Sequence, residues 1–173
     1  MGYSISHTSR PPRGHEQDGT DYYFVERDTF RHMIDQGEFV EWAEVYSDYY
    51  GTSLKSLRRP IDDGLDVIMD VDVQGARNLK RIYKESVLIF VLPPSLQVLE
   101  KRLKGRGTDD ETAVEKRIER ASKEIWNCAW YDYLIFNDSL AVAVEEAKSI
   151  IIAERCRKAR RIDEAKSLFR LDS

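Results

Sequence analysis

Two short, unbroken apolar runs, Val67-Ile68-Met69 and Val87 to Leu92, limit the fold more than any other feature of this chain. Runs without polar alternation are the mark of strands buried on both faces of a parallel sheet. Gly75 to Tyr83, between them, fits a crossover helix, so the segment reads as a strand–helix–strand unit and the fold class as α/β. Beyond it the period turns helical. Ser95 opens a helix with Leu96, Leu99 and Leu103 on one face, and a second, about Asp110 to Trp126, carries Val114, Ile118, Ala121 and Ile125. Tyr133 to Phe136 reads as a further strand. Leu140, Val144, Ala147 and Ile151 mark a closing helix, whose basic end from Arg155 to Arg161 suits a C-terminal dipole.

Ahead of the runs the patterning is mixed. Asp28 to Gly37 reads as a short helix with Asp28 as N-cap, Phe30, Met33 and Ile34 on one face, and Gly37 as its stop. Glu38 to Val45 and the tyrosine-rich Tyr46 to Tyr50 suggest strands and turns. Ser53 caps a helix with Leu54, Leu57 and Ile61 at helical spacing, and Pro60 should kink or end it. The expected organisation is a small mixed α+β region over 1–64, an α/β core over 65–100 and 131–173, and a charged helical excursion over 101–130.

The densest chemistry lies in Tyr3 to Phe24, a segment too short for a core of its own. Arg10 and Arg13 flank Pro11-Pro12, which favour polyproline II geometry; its three-residue repeat projects both arginines to one side. Two guanidinium forks so placed suit one phosphate, although the same four residues would also serve as a solvated loop. Asp70 and Asp72 alternate along the end of a strand and so share a face, where open α/β sheets bind ligands. Arg102 and Arg106 are i,i+4 neighbours, which in an ordinary protein is a solvated basic helix face.

Taken together, Ser4 to Arg13 with Glu16, Asp18-Gly19 and Asp21 to Phe24 resemble the GMP-binding segment of guanylate kinases. Phe39 to Ala43, Tyr49 to Ser53, Asp70 to Gly75, Phe90 to Ser95, Arg106 to Thr108 and Tyr131 to Asp138 are similar to that family's blocks, in the same order. The resemblance implies a P-loop-kinase-like parallel sheet core with an inserted GMP-binding region (1–64) and a helical lid (101–130). It implies ATP-dependent, Mg²⁺-assisted phosphoryl transfer to GMP, giving GDP and ADP. It assigns the GMP phosphate to Arg10, Arg13, Tyr22 and Tyr50, and the guanine to Glu41, Ser6 and Thr52. Glu16, Gly51, Asp70 and Asp72 complete the substrate set, the two aspartates near the guanine and the metal–phosphate region. Arg102, Arg106 and Arg117 become lid arginines that stabilise charge on the transferring phosphates.

The chemistry of the base supports Glu41. A carboxylate can accept both guanine N1–H and the N2 amino group, while a hydroxyl can donate to O6. Adenine would present an acceptor N1 to that carboxylate, and mismatched buried polar groups discriminate strongly.

One block of the resembled family has no counterpart here. None of the nine glycines is followed by lysine, so there is no G-x-x-x-x-G-K-[ST] phosphate loop in these 173 residues, and no residue is assigned to hold ATP or a metal. The loop's strand would also belong to the parallel sheet. The expectation is therefore a guanylate kinase in which this chain by itself turns over poorly. The alternative is a non-catalytic guanylate-kinase-like module binding GMP or a phosphopeptide. A net charge of −4 gives no reason to expect nucleic acid or an anionic membrane surface as partner. No apolar run nears the ~18 residues of a membrane span. Cys128 and Cys156 are too few for a disulfide framework and no His/Cys spacing suggests zinc, so a cytoplasmic location is expected.

Overall fold

A computed structural model describes residues 1–105 and 111–170, leaving aside the side chain of Arg59. The chain divides into two compact units, Met1–Leu88 and Ile89–Ser173.

In the first unit, β1 (Gly2–Tyr3) pairs in parallel with β6 (Val67–Ile68), Gly2 opposite Val67. A second sheet has the order β3 (Tyr23–Phe24), β2 (His7–Thr8), β5 (Asp48–Ser53), β4 (Phe39–Val45). β2 runs parallel to β3 and antiparallel to β5, and β4 and β5 form a hairpin. Its two-residue turn, Tyr46-Ser47, has φ of 51° and 69°. Both central residues of such a tight hairpin need positive φ, which is why glycine or asparagine is the usual choice there. A bulge between Phe39 and Glu41 shifts the register so that Glu41 stands opposite Thr52 and Ala43 opposite Tyr50.

Three helices complete this unit. α1 (Arg27–Asp35) buries Phe30 completely; its ring stacks on Phe39 at 4.4 Å and on Tyr49 at 5.3 Å between centroids. The N-cap is Glu26, with no side-chain cap bond, rather than Asp28. Asp28 falls instead in the first turn, where its charge still complements the helix dipole. Gly37, at φ 66°, follows the helix as expected. α2 (Leu54–Asp62) is capped by Ser53, whose hydroxyl accepts the Ser56 N–H at 3.2 Å. Pro60 does not end it; α2 continues to Asp62, and the Pro60 carbonyl accepts the Leu65 N–H at 2.9 Å. α3 (Val73–Ile82) starts at Asp72, whose side chain accepts the Gly75 N–H. Val40, Leu57 and Leu79 form the core here, with Leu54, Val67, Met69 and Val71 packed around them.

In the second unit, β7 (Ile89–Leu92) and β8 (Tyr133–Phe136) pair in parallel, register Ile89 to Tyr133. Between them in sequence come α4 (Leu96–Gly105), α5 (Glu111–Glu124) and a 3₁₀ turn, Ile125–Trp130. Ser95 caps α4 by accepting the Val98 N–H. α4 and α5 pack together, burying Leu103 and Val114. α6 (Leu140–Arg155) and α7 (Lys158–Phe169) follow.

Several sequence expectations change. The run at 67–69 yields only two strand residues and the run at 87–92 begins its strand at Ile89. Ile68 and Val91 are exposed, so neither strand is buried on both faces. β6 takes β1 as its partner and β7 takes β8, because an apolar run does not name the strand whose hydrogen bonds complete it. The inward residues of α6 are Ala143 and Glu154, while Leu140 and Val144 are exposed. Lys158 to Arg161 open α7 rather than extending the end of α6. No helix among the described residues is long and apolar enough to cross a membrane.

Candidate functional site

The register of the hairpin builds the site. Side chains alternate across a strand, so Tyr50 and Thr52 share a face with Glu41, Ala43 and Val45. A cavity of about 250 Å³ opens on this face, lined by Ser6, Tyr22, Glu41, Ala43, Val45, Tyr50, Gly51, Asp70, Val71 and Asp72. Seven of the residues singled out from sequence therefore meet around one space: Ser6, Tyr22, Glu41, Tyr50, Gly51, Asp70 and Asp72.

At one end stands Glu41, 6% exposed, with the Thr52 hydroxyl donating to its Oε1 at 2.8 Å. Burial pushes its carboxyl above the usual 4.5, and the Asp72 charge adds to that; the Thr52 bond works in the opposite sense. Thr52 is fully buried, and its single hydroxyl proton is committed to Glu41. It thus orients the carboxylate and leaves Ser6, 3.5 Å from the Thr52 oxygen, as the hydroxyl that lines the cavity. Asp70 stays open to solvent but is crowded by protein atoms, which raises its carboxyl from the ordinary 3.8. Strand β6 stops at Ile68, so Asp70 and Asp72 are not strand neighbours sharing one face. Asp72 is the N-cap of α3, its Oδ1 accepting the Gly75 N–H at 2.8 Å.

At the other end, Arg10 does not line the cavity but stands beside Tyr22 and Tyr50, which do, and is buried, 5% exposed. Its Nη1 and Nη2 donate to the two oxygens of Glu16 at 2.8 and 2.9 Å, its Nε to the Tyr50 hydroxyl at 3.2 Å, and Nη1 also to the Pro11 carbonyl at 2.6 Å. Burial alone would lower the Arg10 pKa, yet the bonds to Glu16 and Tyr50 outweigh it and hold the guanidinium firmly charged. The bonds from Arg10, with the Arg13 backbone N–H, hold the Glu16 carboxyl below the usual range. With four of its five N–H donors taken, Arg10 does not extend a free fork. Glu16 also accepts the Arg13 backbone N–H at 2.7 Å, which curls the loop back on itself. The Arg13 guanidinium, by contrast, makes no hydrogen bond or close ion pair among the described residues and acts on Glu16 only through space, and it is the half-exposed one. The rings of Tyr22 and Tyr50 meet edge to face at 6.0 Å, and the Arg10 guanidinium lies 5.4 Å from the Tyr22 ring centre. Burial raises the Tyr22 hydroxyl pKa, with Asp70 adding to it.

The chain as a whole matches a known family. The sequence profile described as guanylate kinase covers residues 1–154. The chain belongs to the guanylate kinase family. The guanylate kinase of Geobacter metallireducens is 48% identical over 169 residues, covering 98% of this chain and 83% of that protein. The guanylate kinase of Carboxydothermus hydrogenoformans is 48% identical over 158 residues, covering 91% of this chain and 78% of that one. The crystal structure of guanylate kinase from Anaplasma phagocytophilum superposes with a TM-score of 0.83 at 32% identity, covering 98% of this chain and 86% of that one. The fold is thus the guanylate kinase fold, mixed α/β with parallel pairing in both units.

The arginines expected of a lid lie in the second unit and are described only within it. Arg102, on α4, sits 3.5 Å from the Asp138 carbonyl, and Arg117 is a half-buried residue of α5. Arg106 lies outside the described residues, as does its expected i,i+4 pairing with Arg102. The sequence placed Gly75 at the start of the crossover helix; the structure shows what its Cα lies against. A Cβ built there would lie 2.5 Å from Glu41 Oε2.

Proposed function

We propose that residues 1–88 hold GMP in the 250 Å³ cavity as the phosphoryl acceptor of an ATP-dependent guanylate kinase, producing GDP and ADP. The observation that carries this reading is the polarity of one cavity: a buried, oriented carboxylate at one end, and two tyrosine hydroxyls beside a buried arginine at the other.

In this reading Glu41 accepts guanine N1–H and the N2 amino group, and Ser6 turns its proton from the long 3.5 Å contact with Thr52 to O6. Thr52 acts through Glu41. Tyr50 accepts from Arg10 Nε, so its own proton is left to donate to a phosphate oxygen, and the Tyr22 hydroxyl can do the same. Arg13 supplies the free fork. Arg10 supplies charge and one remaining N–H, with Glu16 holding it in place. Asp70 and Asp72 edge the guanine end, and Gly51 lets the backbone form the wall. Arg102, Arg106 and Arg117 are proposed as the lid arginines that neutralise the moving phosphoryl group.

Mg²⁺ bound with ATP would offset charge on the phosphates. Among the described residues no group of three or more His, Cys, Asp or Glu side chains could hold a metal ion by itself. No glycine of the 173 residues precedes a lysine, and the cradle for the ATP phosphates is assigned to none of them.

Calorimetric titration of GMP and AMP tests the reading. Arg13→Ala should weaken GMP by about 1.5–3 kcal/mol, the worth of a charge-assisted hydrogen bond. Glu41→Gln should weaken GMP and leave AMP nearly unchanged. A GMP/AMP preference that survives Glu41→Gln would refute the assignment of the base.

A further inference from the structure

We propose that Gly75 is a positioning residue for base specificity: its missing side chain is the space in which the Glu41 carboxylate stands. This rests on the reading of Glu41 as the reader of the base.

The backbone does not require glycine at this point. Gly75 is the third residue of α3, and its φ lies outside the left-handed region that favours glycine. In a helix alanine is ordinarily the better residue. What requires glycine is the neighbour. A Cβ at position 75 would lie 2.5 Å from Glu41 Oε2, 3.2 Å from Glu41 Cδ and 3.3 Å from Val71 Cβ. Real Cβ atoms do not approach oxygen that closely, so the carboxylate would have to move.

It cannot move and keep its task. Oε1 is tied to the Thr52 hydroxyl at 2.8 Å, on a strand whose register fixes Thr52 opposite Glu41. The helix has no room to back away either, because Gly75 is buried and α3 packs against β4, the strand that carries Glu41. Glu41 is therefore held from two sides, by a hydrogen bond on one oxygen and by a bare Cα beside the other. A methyl group at position 75 turns the carboxylate, which breaks the Thr52 bond or takes the oxygens out of line with two parallel N–H donors. The phosphate end, built from Arg10, Arg13, Tyr22 and Tyr50, does not touch Gly75 and should be unaffected.

The experiment compares Gly75→Ala, Glu41→Ala and the double variant in the 173-residue chain, by thermal melting and by calorimetry with GMP and AMP. Gly75→Ala should lose tenfold or more in GMP affinity while AMP changes less than threefold. In the Glu41→Ala background the carboxylate is gone and only the 3.3 Å approach to Val71 Cβ remains, so adding Gly75→Ala should lower melting by less than it does in the parent. If Gly75→Ala alone does not fold, a folded double variant supports the inference and an unfolded one overturns it. A folded Gly75→Ala chain that keeps its GMP/AMP ratio also overturns it. Should Glu41→Ala itself keep the preference for GMP, the base assignment fails, and Gly75 falls with it. If Glu41→Ala abolishes the preference and Gly75→Ala does not, only the Gly75 inference fails.

Discussion

Removing Glu16 should show how the phosphate end is held together. Its carboxylate accepts two N–H groups of Arg10, at 2.8 and 2.9 Å, and the backbone N–H of Arg13 at 2.7 Å. In Glu16→Ala the Arg10 guanidinium, 5% exposed, keeps Tyr50 and the Pro11 carbonyl but loses its counter-charge. Stripping one partner from a fully buried pair costs about 3–5 kcal/mol. The Glu16 side chain is 25% exposed, so water and salt recover part of that, and a loss of about 2–3 kcal/mol is expected. At roughly 2–4 °C per kcal/mol for a chain of this size, the melting temperature should fall by about 4–12 °C. The ligand supplies a second readout. A phosphate dianion can serve as counter-charge for the abandoned guanidinium, so saturating GMP should raise the melting temperature more in Glu16→Ala than in the parent. The acid limb should change too. Arg10 holds the Glu16 pKa below its ordinary 4.5, so this contribution is present above that value and is lost as pH falls through the lowered one. Melting within a degree of the parent, with no larger response to GMP, would show that the Arg10–Glu16 pair is energetically silent and refute this account.

Three further outcomes follow from the structure. Glu41 and Asp70 have raised pKa values in the fold, so their protonated forms favour folding; that contribution is present below about pH 4 and is lost as pH rises through the raised values. GMP affinity should run the other way, falling as pH drops through the Glu41 value because the carboxylate loses an acceptor; calorimetry across pH should show this slope in the parent and a flatter one in Glu41→Gln. Phe30→Ala removes a fully buried ring stacked between Phe39 and Tyr49 and should destabilise the first unit by about 3–5 kcal/mol in urea unfolding, which a loss under 1 kcal/mol would contradict.

The sequence by itself determined the family, the kinds of side chain at the site and most helix positions. Helix ends are local chemistry: Ser53 and Ser95 cap because a hydroxyl reaches an N–H three residues on, and that is visible in any sequence. Tertiary structure decided how those side chains divide the work. Arg-Pro-Pro-Arg suggested two equal forks on one anion, but Glu16, six residues beyond Arg10, takes the Arg10 fork and leaves Arg13 free. Thr52 and Ser6 looked like equivalent hydroxyls until the register across β4 and β5 put the Thr52 proton on Glu41. Asp70 and Asp72 looked like strand partners until β6 ended early and Asp72 turned out to cap α3. The apolar runs foretold strands and not their partners, since an apolar side chain records burial while the choice of neighbour lies in backbone hydrogen bonds common to every residue. Gly75 shows the same limit most sharply: a glycine in a sequence is an absence, and only the fold reveals that Glu41 fills it.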